Sequence, residues 1–322
     1  MISDTKIIEI FCNLDDFMKE FETVLTKNSI SDSSLPKRRN RKSKMSKSEV
    51  MTIMVIFHLK SYRNLKHFYL DYVCKHMTDF FPELVSYNRF VELQKKVIQP
   101  LAVYLKLHGL GKCSGISFID STALKVSHYK REKQHKVFKG IAEKSYGTLG
   151  WFYGFKLHLV CNDKGQIIDF LITKANVDDR QPLKNKNFHD KIFGKIYGDK
   201  GYLGKDLFDK LFVDGIHLVT KLRKNMKKKA LDFMDKVYLR KRAIIESVND
   251  VLKNTCQIEH SRHRSFDNFL GNLIAGLTAY SFLDSKPSIK IQRFLPNIGV
   301  SNRTHVNIKS TTPNFEELLS LF

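Results

Sequence analysis

Two apolar runs around a three-residue turn, FYGFKLHLVCN (152–162) and QIIDFLITKAN (166–176), constrain this chain more than any other feature. In the first, Phe155, Leu157 and Leu159 alternate with other residues, and Asp163-Lys164-Gly165 joins it to the second. Period-two alternation around a short Gly-containing turn specifies an antiparallel hairpin, and an isolated hairpin is marginal unless further strands or helices cover it. Short β-rich runs supply those strands: GISFID (115–120), KIYGD (195–199) and IHLVT (216–220). Helical patterns over about 179–190, 205–213, Phe233–Asn254 and Ser265–Phe282 fall between and after them. The order predicts a mixed α/β sheet covered by helices. Within the hairpin, Trp151, Phe152, Tyr153 and Phe155 are expected in its core. Asp169, alternating with Ile168 and Phe170, is expected to face solvent.

The first 110 residues read differently. Ile7, Ile10, Phe11, Leu14, Phe17, Met18 and Phe21 recur at helical spacing. Ser46 with Glu49 forms a capping-box pattern opening the run Val50–Leu59, and further helices are expected over Leu65–His76 and Asn88–Leu105. Short helices joined by tight turns suit a helix-turn-helix DNA-binding unit. The expected organisation is a helical region 1–110 with a basic linker 36–47, a catalytic domain 111–285 and a tail 286–322.

Charge names the class of partner. Fifty-five Lys and Arg against 33 Asp and Glu leave a net +22, a surplus that suits a polyanion, nucleic acid first. Seven basic residues lie between Lys37 and Lys47, including Arg38 and Arg39, and six lie in KLRKNMKKK (221–229), including Arg223 and Lys224. A solvated loop would look the same, but the global charge favours phosphate contact. Five scattered cysteines without a CxxC pair argue for a reducing compartment. Cys256, His260 and His263 lack a fourth ligand, which argues against zinc. No leader-like start and no apolar run of spanning length is visible, so a cytoplasmic protein with no membrane partner is expected.

Three acids stand where chemistry is often placed. Asp120 closes the run SFID, Asp199 closes IYGD, and Glu246 lies inside the helical RKRAIIESVND (240–250). Carboxylates from separate elements, converging without His or Cys, suit Mg2+ or Mn2+, and a pair of such ions clamps both oxygens of a phosphodiester displacement. Arg242, four residues before Glu246, and Lys253, seven after, share its helix face. Lys125, Lys156, His158 and Lys200 surround the acids in sequence and are expected to position phosphates. Asp178 and Asp179 read as a helix N-cap with a secondary claim on the site.

FIDS (118–121), WFYGFKLHLV (151–160), YGDKGY (197–202) and RKRAIIESVND (240–250), taken jointly, resemble bacterial insertion-sequence transposases of the DDE superfamily. Arg242, Glu246 and Lys253 match that superfamily's R-x3-E-x6-K signature; its usual tyrosine would fall on Leu239, and Tyr238 stands one place off. HKVFKG (135–140) and QIEHSRHRS (257–265) narrow the likeness to one subgroup. The resemblance implies an RNase H-like, five-stranded mixed sheet in which Asp120, Asp199 and Glu246 hold two Mg2+ (or Mn2+) ions. It further implies a nucleoid-associated enzyme that hydrolyses element-end DNA and joins it to target DNA as a homodimer or larger synaptic complex. Two rival readings are a repressor-like DNA-binding protein without catalysis and an RNase H-like nuclease without strand transfer.

Overall fold

The computed structural model describes residues 2–28, 43–147, 150–221, 231–259 and 263–289. Six strands form one sheet: β1 (Ile116–Ser127), β2 (Glu143–Gly147), β3 (Gly150–Asn162), β4 (Ile167–Lys174), β5 (Gly194–Gly198) and β6 (Ile216–Thr220). The helices are α1 (Asp4–Asn28), α2 (Lys47–Leu59), α3 (Leu65–His67), α4 (Cys74–His76), α5 (Tyr87–Tyr104), α6 (Lys186–His189), α7 (Lys205–Val213), α8 (Phe233–Lys241), α9 (Ala243–Asp250) and α10 (Phe266–Ser281).

The central strand is β1. It pairs antiparallel with β3 on one side and parallel with β5 on the other, and β5 carries β6, also parallel. The far edge of β3 is shared, by β2 opposite its first residues and by β4 opposite the rest. The path β4-β3-β1-β5-β6 is the RNase H-like order. The short β2 makes a sixth strand beyond the five expected, because alternation over EKSYG is too brief to announce itself. The 163–165 turn forms as predicted, with Gly165 at φ 70. A side chain there would strike the Pro287 carbonyl, which lies against the turn.

Both faces of the sheet are covered. On one, Phe118, Leu157, Leu159 and Tyr197 join a core that runs without interruption into α1, α2, α5, α9 and α10. On the other, Ile119, Val160 and Ile196 pack on Leu207 and Leu211 of α7 and on Leu183 and Phe188. That double cover corrects the reading of Asp169. It is 3% exposed, with Lys106 from the turn after α5 at 3.5 Å, so alternation marked a covered face, not a wet one. The polar stretch 179–190 yields only a 3-10 turn at Pro182–Lys184 and the one-turn α6. The expected helix Phe233–Asn254 is broken at Arg242 into α8 and α9 and ends in a π turn, Val251–Thr255.

The N-terminal helices form where expected. Ser46 Oγ accepts from Glu49 N at 3.1 Å, and the Glu49 carboxylate accepts from Ser46 N at 2.6 Å, so the capping box is complete. Of the α1 stripe, all but Phe11 are buried. His58 of α2 is buried and donates from Nδ1 to the Cys256 carbonyl at 2.5 Å, tying this region to the segment before α10.

Burial lowers His58, His158 and His263 to a pKa of about 4 each, below the free value of 6.5. All three are therefore neutral in the folded protein at pH 7, whereas the unfolded chain protonates them from about pH 6.5 downward. Their contribution to stability is complete above that pH and is lost as pH falls toward 4. Thermal melts across this range should show stability dropping with acidification. Replacing His158 by Gln should flatten the drop, and a slope unchanged in that variant would refute the account.

Candidate active site

Strand register brings the two aspartates together. The last β1–β5 pair is Phe118 with Tyr197, and two residues further along each strand stand Asp120 and Asp199. Period two gives Asp120 the side-chain direction of Phe118, toward the face covered by α9. It lies opposite Leu159 of β3, which belongs to the same core face. Asp199 follows β5 directly and caps a 3-10 turn at Lys200–Tyr202, its Oδ1 accepting from Gly201 N at 2.7 Å. Asp199 and Lys200 are both exposed.

Glu246 arrives from the helix above. Ile244, Ile245 and Val248 are buried and seat α9 on the sheet; in the π turn that follows, Leu252 is buried and Val251 half-buried. The adjoining side of the helix presents Arg242, Glu246 and Asn249. Arg242 donates to Glu246 Oε1 at 2.7 Å and reaches Asp120 Oδ1 at 3.9 Å. Asn249 donates from Nδ2 to Asp120 Oδ2 at 3.2 Å, and its own Oδ1 is buried without a partner among the described residues. Sequence reasoning gave Asn249 no role, although its i+3 spacing from Glu246 placed it on the same face.

The electrostatics follow from this convergence. Burial pushes the Asp120 carboxyl up to about 6; Arg242 opposes the shift, while Asp199 and Glu246 add repulsion. Asp120 thus feels both of the other acids. No three His, Cys, Asp or Glu side chains among the described residues are gathered tightly enough to hold an ion as they stand. The donor set nevertheless fits a hard divalent cation, since it offers only oxygen ligands and one is desolvated at a cost that positive charge would relieve. Arg242, lying between two of the acids, supplies that charge in this structure.

The remaining expected contacts divide. Lys125 is exposed, and its backbone N–H is held by Glu259 at 3.0 Å. Lys253 donates to the Ala123 carbonyl at 2.6 Å and pairs with Glu259 at 3.1 Å, locking the π turn onto β1. His158 needs correction: it is 0% exposed and bonded to Thr173 Oγ1 at 2.9 Å, so it reaches no phosphate. Lys156 lies on that same face, opposite to Asp120, bound to the Val177 carbonyl and to Asp179 at 3.0 Å. Asp179 also accepts from Ser121, and Asp178 is engaged by Arg180 at 2.7 Å; both brace the loop after β4. Tyr238 packs on Tyr197 and Phe118 in the core. Lys37, Arg38, Arg39, Arg223, Lys224 and His260 lie outside the described residues.

Residues 110–266 match a family described as "Transposase DDE domain". The matched segment holds β1 to β6 and α9. A comparison with curated proteins finds no match. Among solved structures the chain is similar to one in the piggyBac transposase synaptic complex with hairpin DNA, at 10% identity and a TM-score of 0.46, over 85% of this chain and 72% of that one. It is also similar to one in the Mos1 strand transfer complex, at 12% identity and a TM-score of 0.23, over 82% and 83%. Both likenesses are distant.

A buried acid whose folded pKa exceeds its unfolded value costs stability when ionised, and that cost vanishes below the unfolded pKa. With divalent ions chelated, Asp120→Asn should raise the melting temperature at pH 7.5 by a few degrees. The gain should shrink as the pH approaches 4. A variant less stable than the parent at pH 7.5 would contradict the assigned burial and repulsion.

Proposed function

We propose that the chain is a DNA transposase whose catalytic residues are Asp120, Asp199 and Glu246. The observation that carries this reading is the grouping of three carboxylates, Asp120 within β1, Asp199 directly after β5 and Glu246 on α9, with Arg242 joining the first to the last. Asp120 and Asp199 stand at equivalent register positions, and Asp120 is destabilised by burial and further by the other two. These three residues would hold Mg2+ or Mn2+, two ions in the working enzyme. The bound ions supply activation of the attacking oxygen and stabilisation of the leaving one.

The chain's own residues supply the rest. Arg242 neutralises Asp120 and Glu246 before DNA arrives and is placed to turn toward a phosphate as the acids take up cations. Asn249 fixes one Asp120 oxygen, orienting the other outward. Lys253 and Glu259 hold the strand beyond Asp120 against α9's continuation, so that β1 keeps its position under load. Exposed Lys125 and Lys200 and the basic segments 36–47 and 221–229 carry phosphate contact, which positions DNA without reading sequence. The activity is phosphodiester hydrolysis at the element ends followed by attack of the freed 3′-OH on target DNA. We assign recognition of the ends to the helical region 1–110. The working assembly is a homodimer or larger synaptic complex, acting in the cytoplasm on nucleoid DNA.

The test is incubation of the full chain with Mg2+ and DNA carrying the element's ends. Cleaved ends and joined products are expected from the parent. Asp120→Ala, Asp199→Ala and Glu246→Gln should each lose both products by several orders of magnitude while keeping DNA affinity. Near-parental turnover in any of the three removes that residue from the assignment, and cleavage without joining would favour a nuclease.

A further inference from the structure

The expectation that Trp151 is part of the hairpin core is wrong, and the error points to a second contact surface. Phe152, Tyr153 and Phe155 are buried, but Trp151 is 51% exposed and Tyr146, its cross-strand partner, 69%. The two rings meet edge to face at 5.4 Å. Lys144 of β2 places its ammonium 4.5 Å over Trp151 and 5.3 Å over Tyr129. Two large aromatic side chains left half in water at one end of a sheet are unexplained by packing.

Charge says what covers them. Between Lys125 and Lys139 six exposed Lys or Arg side chains stand against one acid, Glu132, and the other nearby acid, Glu143, is engaged by Lys174 at 3.7 Å. A basic surface with interleaved aromatics fits a polyanion that also offers flat apolar faces, which is a nucleic-acid strand with unstacked bases. A protein partner would have to desolvate these cations without matching the rings.

Position supports the same occupant. On β3, Trp151 and Leu159 share one face by period two, and Leu159 lies opposite Asp120. Eight residues of strand span roughly 27 Å, about the length of eight stacked nucleotides. DNA held at the acids therefore reaches this ribbon within one helical turn.

We propose that Trp151, Tyr146 and Lys144 form a nucleic-acid contact in which unpaired bases of a DNA strand stack on the β2–β3 ribbon. The assignment rests on the reading of the chain as a DNA-acting enzyme. Trp151 is the sole tryptophan, so the emission of the full chain reports this site alone. Titration with single-stranded oligothymidylate, and with element-end duplex carrying a single-stranded flank, should quench that emission saturably. Trp151→Ala and Tyr146→Ala should weaken binding of the single-stranded oligonucleotide roughly ten-fold or more, measured by anisotropy of labelled DNA. Trp151→Phe should retain most of the affinity, and circular dichroism checks that the variants fold. DNA that binds without altering the parent's emission overturns this contact while leaving the proposed function standing. Failure to bind any DNA overturns both. An emission change that follows protein concentration in the absence of DNA identifies the ribbon as a self-association surface and overturns the proposal.

Discussion

The structure depends on the pairing of β1 with β3 and β5. Among the described residues, β1, twelve residues long, is the only strand with an antiparallel neighbour on one side and a parallel one on the other, and it joins the two halves of the sheet. Its register with β5 aligns Asp120 with Asp199, and its register with β3 sets which face Asp120 points to. A slip of one residue would turn Asp120 into the α7 side and leave Ile119 under α9. The buried pairs Phe118–Cys161 and Ile119–Val160, each matched to its own core, prevent that slip.

The site sits where the paired part of the sheet ends. β5 stops at Gly198, and β1 runs on with only β3 beside it, so Asp120 lies past the last β1–β5 pair, where Arg242 reaches it. The site is electrostatically tense, with three carboxylates, one of them half-buried, and one guanidinium beside them. Charge of that kind costs folding energy unless it is compensated, and Arg242 compensates only part of it. Helix α8 is secured independently: Asp235 takes Lys195 at 2.7 Å and the Tyr197 hydroxyl at 2.8 Å from β5. After the break at Arg242, α9 runs beside Asp120, which Asn249 reaches.

The N-terminal helices belong to the same core as the sheet. α10 follows the catalytic segment in sequence but buries Leu273, Ile274 and Leu277 in the cluster shared with α1, α2 and α5. His58 bonding to the Cys256 carbonyl crosses the same seam. The helical region is therefore packed against the sheet through one continuous core.

Much was legible in the sequence alone: the hairpin and its turn, the strand order, the capping box at Ser46, the helix α7 and the position of Asp199 directly after its strand. Each of these rests on local periodicity or on a short motif whose chemistry is complete within a few residues. The tertiary structure decided the rest. That His158 and Asp169 are buried follows from helices covering both faces, which alternation along one strand cannot report. That Trp151 is exposed follows from β3 outrunning its covering helices, although its neighbours Phe152 and Tyr153 carry the same hydrophobic signal. That Asn249 touches Asp120 depends on packing between segments more than a hundred residues apart.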